Sequence, residues 1–188
     1  MQNRTMTALV SVPVLAIGAI GTAEIGTGSI EGTVEFNQIN FGALGGVTTG
    51  DAVVYSFQVD SENFVNGSFP TRGYEIISDS FSATFGGAAV GLANPYPGPG
   101  APYFVLRNDD PAVDGFFLGE NPDGFPNGVA TDEPGIFGPF NTQFSVAYDN
   151  DPLDSLDILG AVGVYEFDGL TSFNMIVGDG PAEAMFID

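Results

Sequence analysis

The sequence predicts an all-β fold, a two-sheet antiparallel β-sandwich of jelly-roll-like type, on three observations. Apolar and polar residues alternate with period two in segment after segment. Glycine and proline fill 27 and 13 of the 188 positions at irregular spacing, which suits short strands joined by turns better than helices. Hydrophobic residues make up 44% of the chain and aromatics 12%, enough to build a core despite a formal net charge of −21. The length fits one domain.

Residues 1–4 are polar with one basic side chain, and residues 8–20 form an uncharged, largely apolar run closed by Gly21, Thr22 and Ala23. That pattern predicts a secretory signal peptide over residues 1–23, cut after Ala23, and a single β-sandwich domain over 24–188. The run is too short, and too interrupted by Pro13 and Gly18, to read as a permanent span.

The first mature strand places Ile30, Val34 and Phe36 on one face. Ile39 and Phe41 then change phase, which predicts a bulge near Asn37 or Gln38. Val53, Tyr55, Phe57 and Val59 give the cleanest alternation, and Phe81, Ala83 and Phe85 repeat it. Residues 94–102, NPYPGPGAP, exclude helix and central strand. Residues 103–108 and 115–119 read as a strand pair around the turn Asp109-Asp110-Pro111, followed by a long connection over 121–139. Phe144, Val146 and Tyr148 alternate again. Residues 152–159 read either as a short helix capped by Asp151 or as a further strand, and 162–167, 170–177 and 184–187 supply the last strands.

Composition excludes several functions. There is no Cys, His, Lys or Trp, so thiol chemistry, zinc-thiolate sites and histidine-based catalysis are absent. Three Arg and no Lys against 24 acids cannot hold phosphate backbones or an anionic membrane surface, so neither nucleic acid nor such a membrane is an expected partner. Ser56, Ser80 and Ser145 have no histidine to activate them. Glu166 with Asp168, and Glu75 with Asp79, have spacings that share a strand face, but such pairs arise readily by chance among 24 acids.

The stretches GTVEFNQINFGALGGVTTGDAVVYSFQVDSENF (32–64) and SLDILGAVGVYEFDGLTSFNMIVGDGPAEAM (155–185) resemble exported bacterial proteins of the PEP-CTERM sorting type. The resemblance covers most of the mature chain through loose compositional patterns. It implies an exported Gly- and Phe-rich β-sandwich at the cell surface or in the extracellular matrix, and supplies no catalytic residues. The Pro-Glu-Pro motif, apolar span and basic cluster that close such chains do not occur up to Asp188, which leaves open a following sorting tail or a released protein.

Two acidic sets are candidate metal ligands: Asp149, Asp151, Asp154 and Asp157 in one, Asp109, Asp110 and Asp114 in the other. Calcium takes six to eight oxygens from irregular loops, which both segments offer, though neither has the spacing of an EF-hand. Solvated turn residues in a very acidic chain are the competing reading. Calcium is the one cofactor the residues suggest. Tyr96 and Tyr103 bracket the Pro/Gly loop and are candidate ligand-stacking rings, with Phe116, Phe117 and Phe125 near the next loop; end-plugging is the alternative for all of them. The resulting expectation is an exported, non-enzymatic surface or matrix protein with a structural or adhesion role, acting by self-association or on extracellular polysaccharide. The alternative is a calcium-assisted, lectin-like carbohydrate-binding module.

Overall fold

The computed structural model describes residues 10–11, 23–110, 112–123, 126–180 and 183–188. The expected signal peptide lies outside these except for residues 10, 11 and 23. The strands are β1 (Val10–Ser11), β2 (Ile25–Asn37), β3 (Ala52–Asn66), β4 (Thr71–Ile76), β5 (Ser82–Phe85), β6 (Ala88–Val90), β7 (Tyr103–Arg107), β8 (Asp114–Gly119), β9 (Val129–Pro134), β10 (Pro139–Tyr148), β11 (Val164–Tyr165), β12 (Leu170–Gly178) and β13 (Ala184–Ile187). Among the described residues all pairings are antiparallel, and β1 pairs with β11 alone.

The architecture is the all-β sandwich expected, with its layers joined by hydrogen bonds. In order, β2, β13, β12, β10, β8, β7, β4 and β3 are neighbours, and the β2–β3 pairing closes the ring. Long β3 makes this possible. Its first half pairs with β2 on one edge and β5 on the other, and beyond an irregularity between Val59 and Phe64 it pairs with β4. Val53, Tyr55, Phe57 and Val59 are all buried, as their alternation requires. Gly28 stands opposite Phe57, whose ring lies where a Cβ would project, so an aromatic fills the space a glycine leaves. From there a run of rings crosses the core: Phe57 to Phe104 at 4.9 Å, Phe104 to Phe116 at 5.7 Å, and Phe116 to Tyr165 at 4.5 Å between centroids.

Four expectations need correction. The phase change in β2 falls earlier than Asn37: Phe186 pairs with Phe36 and Ile187 with Val34, so Glu35 is the extra residue. Val34 therefore points inward while Phe36 is 49% exposed. The 121–139 connection contains β9, whose Val129, Ala130 and Thr131 are buried against β10. Residues 152–159 form neither helix nor strand but bends and a turn. There, Asp157 accepts the N–H of Gly160 and Ala161 at its carbonyl and that of Leu159 at its carboxylate, while the Tyr74 hydroxyl accepts from Ile158 N–H and donates to Leu156 O. The expected strand over 162–167 is reduced to the two residues of β11.

The outer face of the sheet has two unlike halves. Across β8 and β7, Phe117 and Val105 point away from the core yet are fully buried, because the segment after β8 folds over them. Pro122 lies against Gly73, its carbonyl accepts the Thr71 hydroxyl at 2.9 Å, and the Arg107 guanidinium sits 5.5 Å from the Phe117 ring. Across β2, β13 and β12, Phe36, Phe186 and Ile176 stand in one register row, and Phe36 and Phe186 remain exposed.

Candidate metal centre

Pairing of β8 with β10 places Asp114 opposite Tyr148, so the loop before β8 and the loop after β10 meet at one end of the sheet. Asp114 is only 1% exposed. Its Oδ1 accepts the N–H of Asp109 at 2.9 Å and its Oδ2 the N–H of Leu153 at 2.7 Å, tying both loops to the first residue of β8. Asp109 and Asp151 adopt φ values of 55° and 52°, a left-handed conformation that aspartate tolerates better than most residues. Those turns swing their carboxylates back, and one oxygen each from Asp109, Asp114 and Asp151 lies within 4.8 Å of the others. Ligands on opposite sides of a calcium ion stand about 4.6–5.2 Å apart, so the spacing suits that cation. Each carboxylate oxygen of Asp114 keeps a second lone pair beside its N–H bond.

The structure thus draws one triad from the two sequence sets and leaves the other four acids outside it. Asp110 lies 3.5 Å from Arg107. Asp149, Asp154 and Asp157 are exposed, and the Asp157 carboxylate serves its own turn. Charge at the triad reaches the neighbouring phenol. Burial, with the charge of Asp114 added, raises the Tyr165 hydroxyl to about 12. Tyr148 is likewise raised to about 12 by burial and by Tyr165.

The aromatic candidates separate. Tyr96 packs its ring against the core, donates its hydroxyl to Glu120 at 3.2 Å and accepts from Ala130 N–H at 3.2 Å; burial raises its pKa. Tyr103 lies in β7 between Glu75 and Gly119 in register, half-buried over Gly73, and is also raised by burial and then by Glu75. Phe116 and Phe117 are buried strand residues, and Phe125 falls outside the described residues. The acid pairs weighed for glycoside chemistry do not share strand faces. Glu166 and Asp168 follow β11 in a turn, and Asp79 sits in a 3-10 turn beyond the strand that carries Glu75. A cavity between Gly28, Phe57, Phe104, Phe116 and Tyr165 has room for about one water, at ≈ 10 Å³, and its walls are apolar.

Sequence reasoning named Asp114 but not its role as a clamp, since nothing local marks it as buried. It passed over Asp179 and Glu183 altogether, which lie on either side of the β12–β13 turn. Comparison of the chain with protein-family models, with curated proteins and with solved structures gives no match.

Proposed function

We propose that this is an exported, non-enzymatic surface or matrix protein that works by adhesion or self-association. The observation that carries the reading is the register row of Phe36, Phe186 and Ile176, in which both phenylalanines are exposed. Where apolar residues reach the outer face on β7 and β8, the chain folds a segment over them; on β2 and β13 it leaves two phenylalanines in water. Uncovered apolar surface on an otherwise acidic protein has a desolvation gain available only through contact. The resemblance to exported PEP-CTERM-type proteins supports the location.

Sedimentation of the full chain across concentration, with salt high enough to screen its net charge, tests this. The expected result is reversible association that is lost in the double variant Phe36→Ser, Phe186→Ser while the melting midpoint stays nearly unchanged. A monomer at every concentration and salt, with no adsorption to polysaccharide, contradicts the reading.

A second reading, calcium-assisted carbohydrate binding, is favoured by the convergence of Asp109, Asp114 and Asp151. It requires retention on a polysaccharide column that chelator abolishes and that Asp151→Asn weakens.

A further inference from the structure

The turn between β12 and β13 carries an acidic pair unlike the triad. The last register pair is Gly178 with Ala184, and Asp179 and Glu183 are the next residue on either arm, flanking the turn. They continue the alternation that puts Val177 and Met185 in the core. Asp179 is only 9% exposed. Its Oδ2 accepts the N–H of Ile136 at 2.6 Å and that of Phe137 at 3.4 Å, while its Oδ1 is buried with no hydrogen-bond partner. Oε2 of Glu183 is also buried and without a partner. The Asp179 side chain is closely packed on its Oδ2 side. A Cβ at Gly135 would come within 2.5 Å of Asp179 Cβ and 2.6 Å of its Oδ2, so only glycine leaves the carboxylate its place.

Like charges on the two arms of one turn repel, and a buried carboxylate oxygen without a partner loses its hydration for nothing in return. Neither arginine among the described residues answers them: Arg72 is bonded to Asn66 and stacked on Phe64, and Arg107 lies beside Asp110. We propose that Asp179 Oδ1 and Glu183 Oε2 are ligands of a divalent cation of the calcium class bound at this turn. Hard oxygen donors of full charge are what such an ion selects, and waters complete its shell. The ion has a structural consequence. The other oxygen of Asp179 holds the tip between β9 and β10, where Ile136 and Phe137 are 63% and 65% exposed. Fixing the carboxylate fixes the tip, so calcium sets how these two apolar side chains are presented. The proposal stands apart from the Phe36–Phe186 row, and its test reads ion binding rather than association.

The test is calorimetric titration of calcium into the full chain, with magnesium as comparison and ionic strength constant. Asp151→Asn removes the contribution of the triad in one set of samples. In that background a saturable calcium site is expected, and Glu183→Gln weakens it at least about tenfold, as loss of a ligand should. Asp179→Asn does the same, and because that change also touches the tip, Glu183→Gln is the decisive variant. A Phe137→Trp reporter, the chain's sole tryptophan, should gain fluorescence anisotropy on adding calcium and lose that response with Glu183→Gln. Calcium binding that survives Glu183→Gln, or no saturable binding in the Asp151→Asn background, overturns the proposal. So does equal heat from calcium, magnesium and matched sodium chloride, which would leave water between the two carboxylates.

Discussion

Asp114 and Asp179 are both buried aspartates at strand ends, each accepting two backbone N–H bonds, from two loops at Asp114 and from one at Asp179, yet they are satisfied differently. Asp114 divides its bonds, one oxygen to Asp109 and the other to Leu153, so both oxygens are used. Asp179 directs both bonds to one oxygen and leaves the other with no partner, and Glu183, beyond the same turn, has a buried oxygen in the same condition. The lesson is that a buried carboxylate can act as a clamp complete in itself, or as half of a site that needs a cation. The count of unsatisfied oxygens separates the two where burial does not.

Removing the clamp should have the largest effect. Asp114→Ala strands the N–H groups of Asp109 and Leu153 and should cost about 3 kcal/mol of unfolding free energy, read by denaturant titration in chelator. Asp114→Asn keeps one acceptor and should cost less. If Asp114→Ala were as mild as a surface change, the clamp assignment would fail.

Alkaline pH strikes the same end of the molecule. Tyr148 and Tyr165 are raised to about 12 from an unfolded value of about 10, so the native state holds these protons more tightly than the unfolded chain. Their contribution is complete below pH 10 and is lost as pH rises toward 12. Melting midpoints should therefore fall across that window, and part of the phenolate absorbance should appear only with unfolding. A midpoint flat from pH 9 to 12 would contradict the burial of both hydroxyls.

At the other turn the sign reverses. In chelator, Glu183→Gln should stabilise the fold by about 0.5 kcal/mol, because it removes one of two like charges on the arms of one turn. Added calcium should cancel that advantage by stabilising the natural chain instead. Thermal melts of the two proteins should cross as calcium rises.

The smallest effect belongs to Asp151→Asn, an exposed change that should shift stability by less than about 0.5 kcal/mol in chelator. A larger loss would mean that Asp151 carries structure beyond its place in the triad.

Most strands were legible because alternation and burial coincide. In β3 up to Val59, and in β10 apart from Thr142, alternate side chains are apolar and enter the core, so periodicity alone finds them. Glu35 shows where this ends. The pattern of β2 records a phase change, but its position is set by pairing with β13, 150 residues away in the chain's own count of Phe36 to Phe186. Strand β9 escaped notice because buried Val129, Ala130 and Thr131 are followed by the charged pair Asp132 and Glu133, which reads as loop. The expected cap is missing from residues 152–159: Asp151 is left-handed, and the Leu153 N–H that a capping Asp151 would accept is taken by Asp114. For the site, the residue types were legible and the company was not. Asp109 and Asp151 meet only because β8 lies beside β10, and Asp179 and Glu183 come to one turn only because β13 pairs back on β12. Runs of acids in the sequence drew attention to Asp154 and Asp157, which are exposed, while the acids with unanswered oxygens stand alone in theirs.

The most direct measurement is a crystal of the full chain soaked in terbium or grown with calcium, with the ion located by anomalous scattering. The account requires a peak within about 2.3–2.6 Å of Asp179 Oδ1 and Glu183 Oε2. Peaks confined to other carboxylates, or only water between these two, would contradict it.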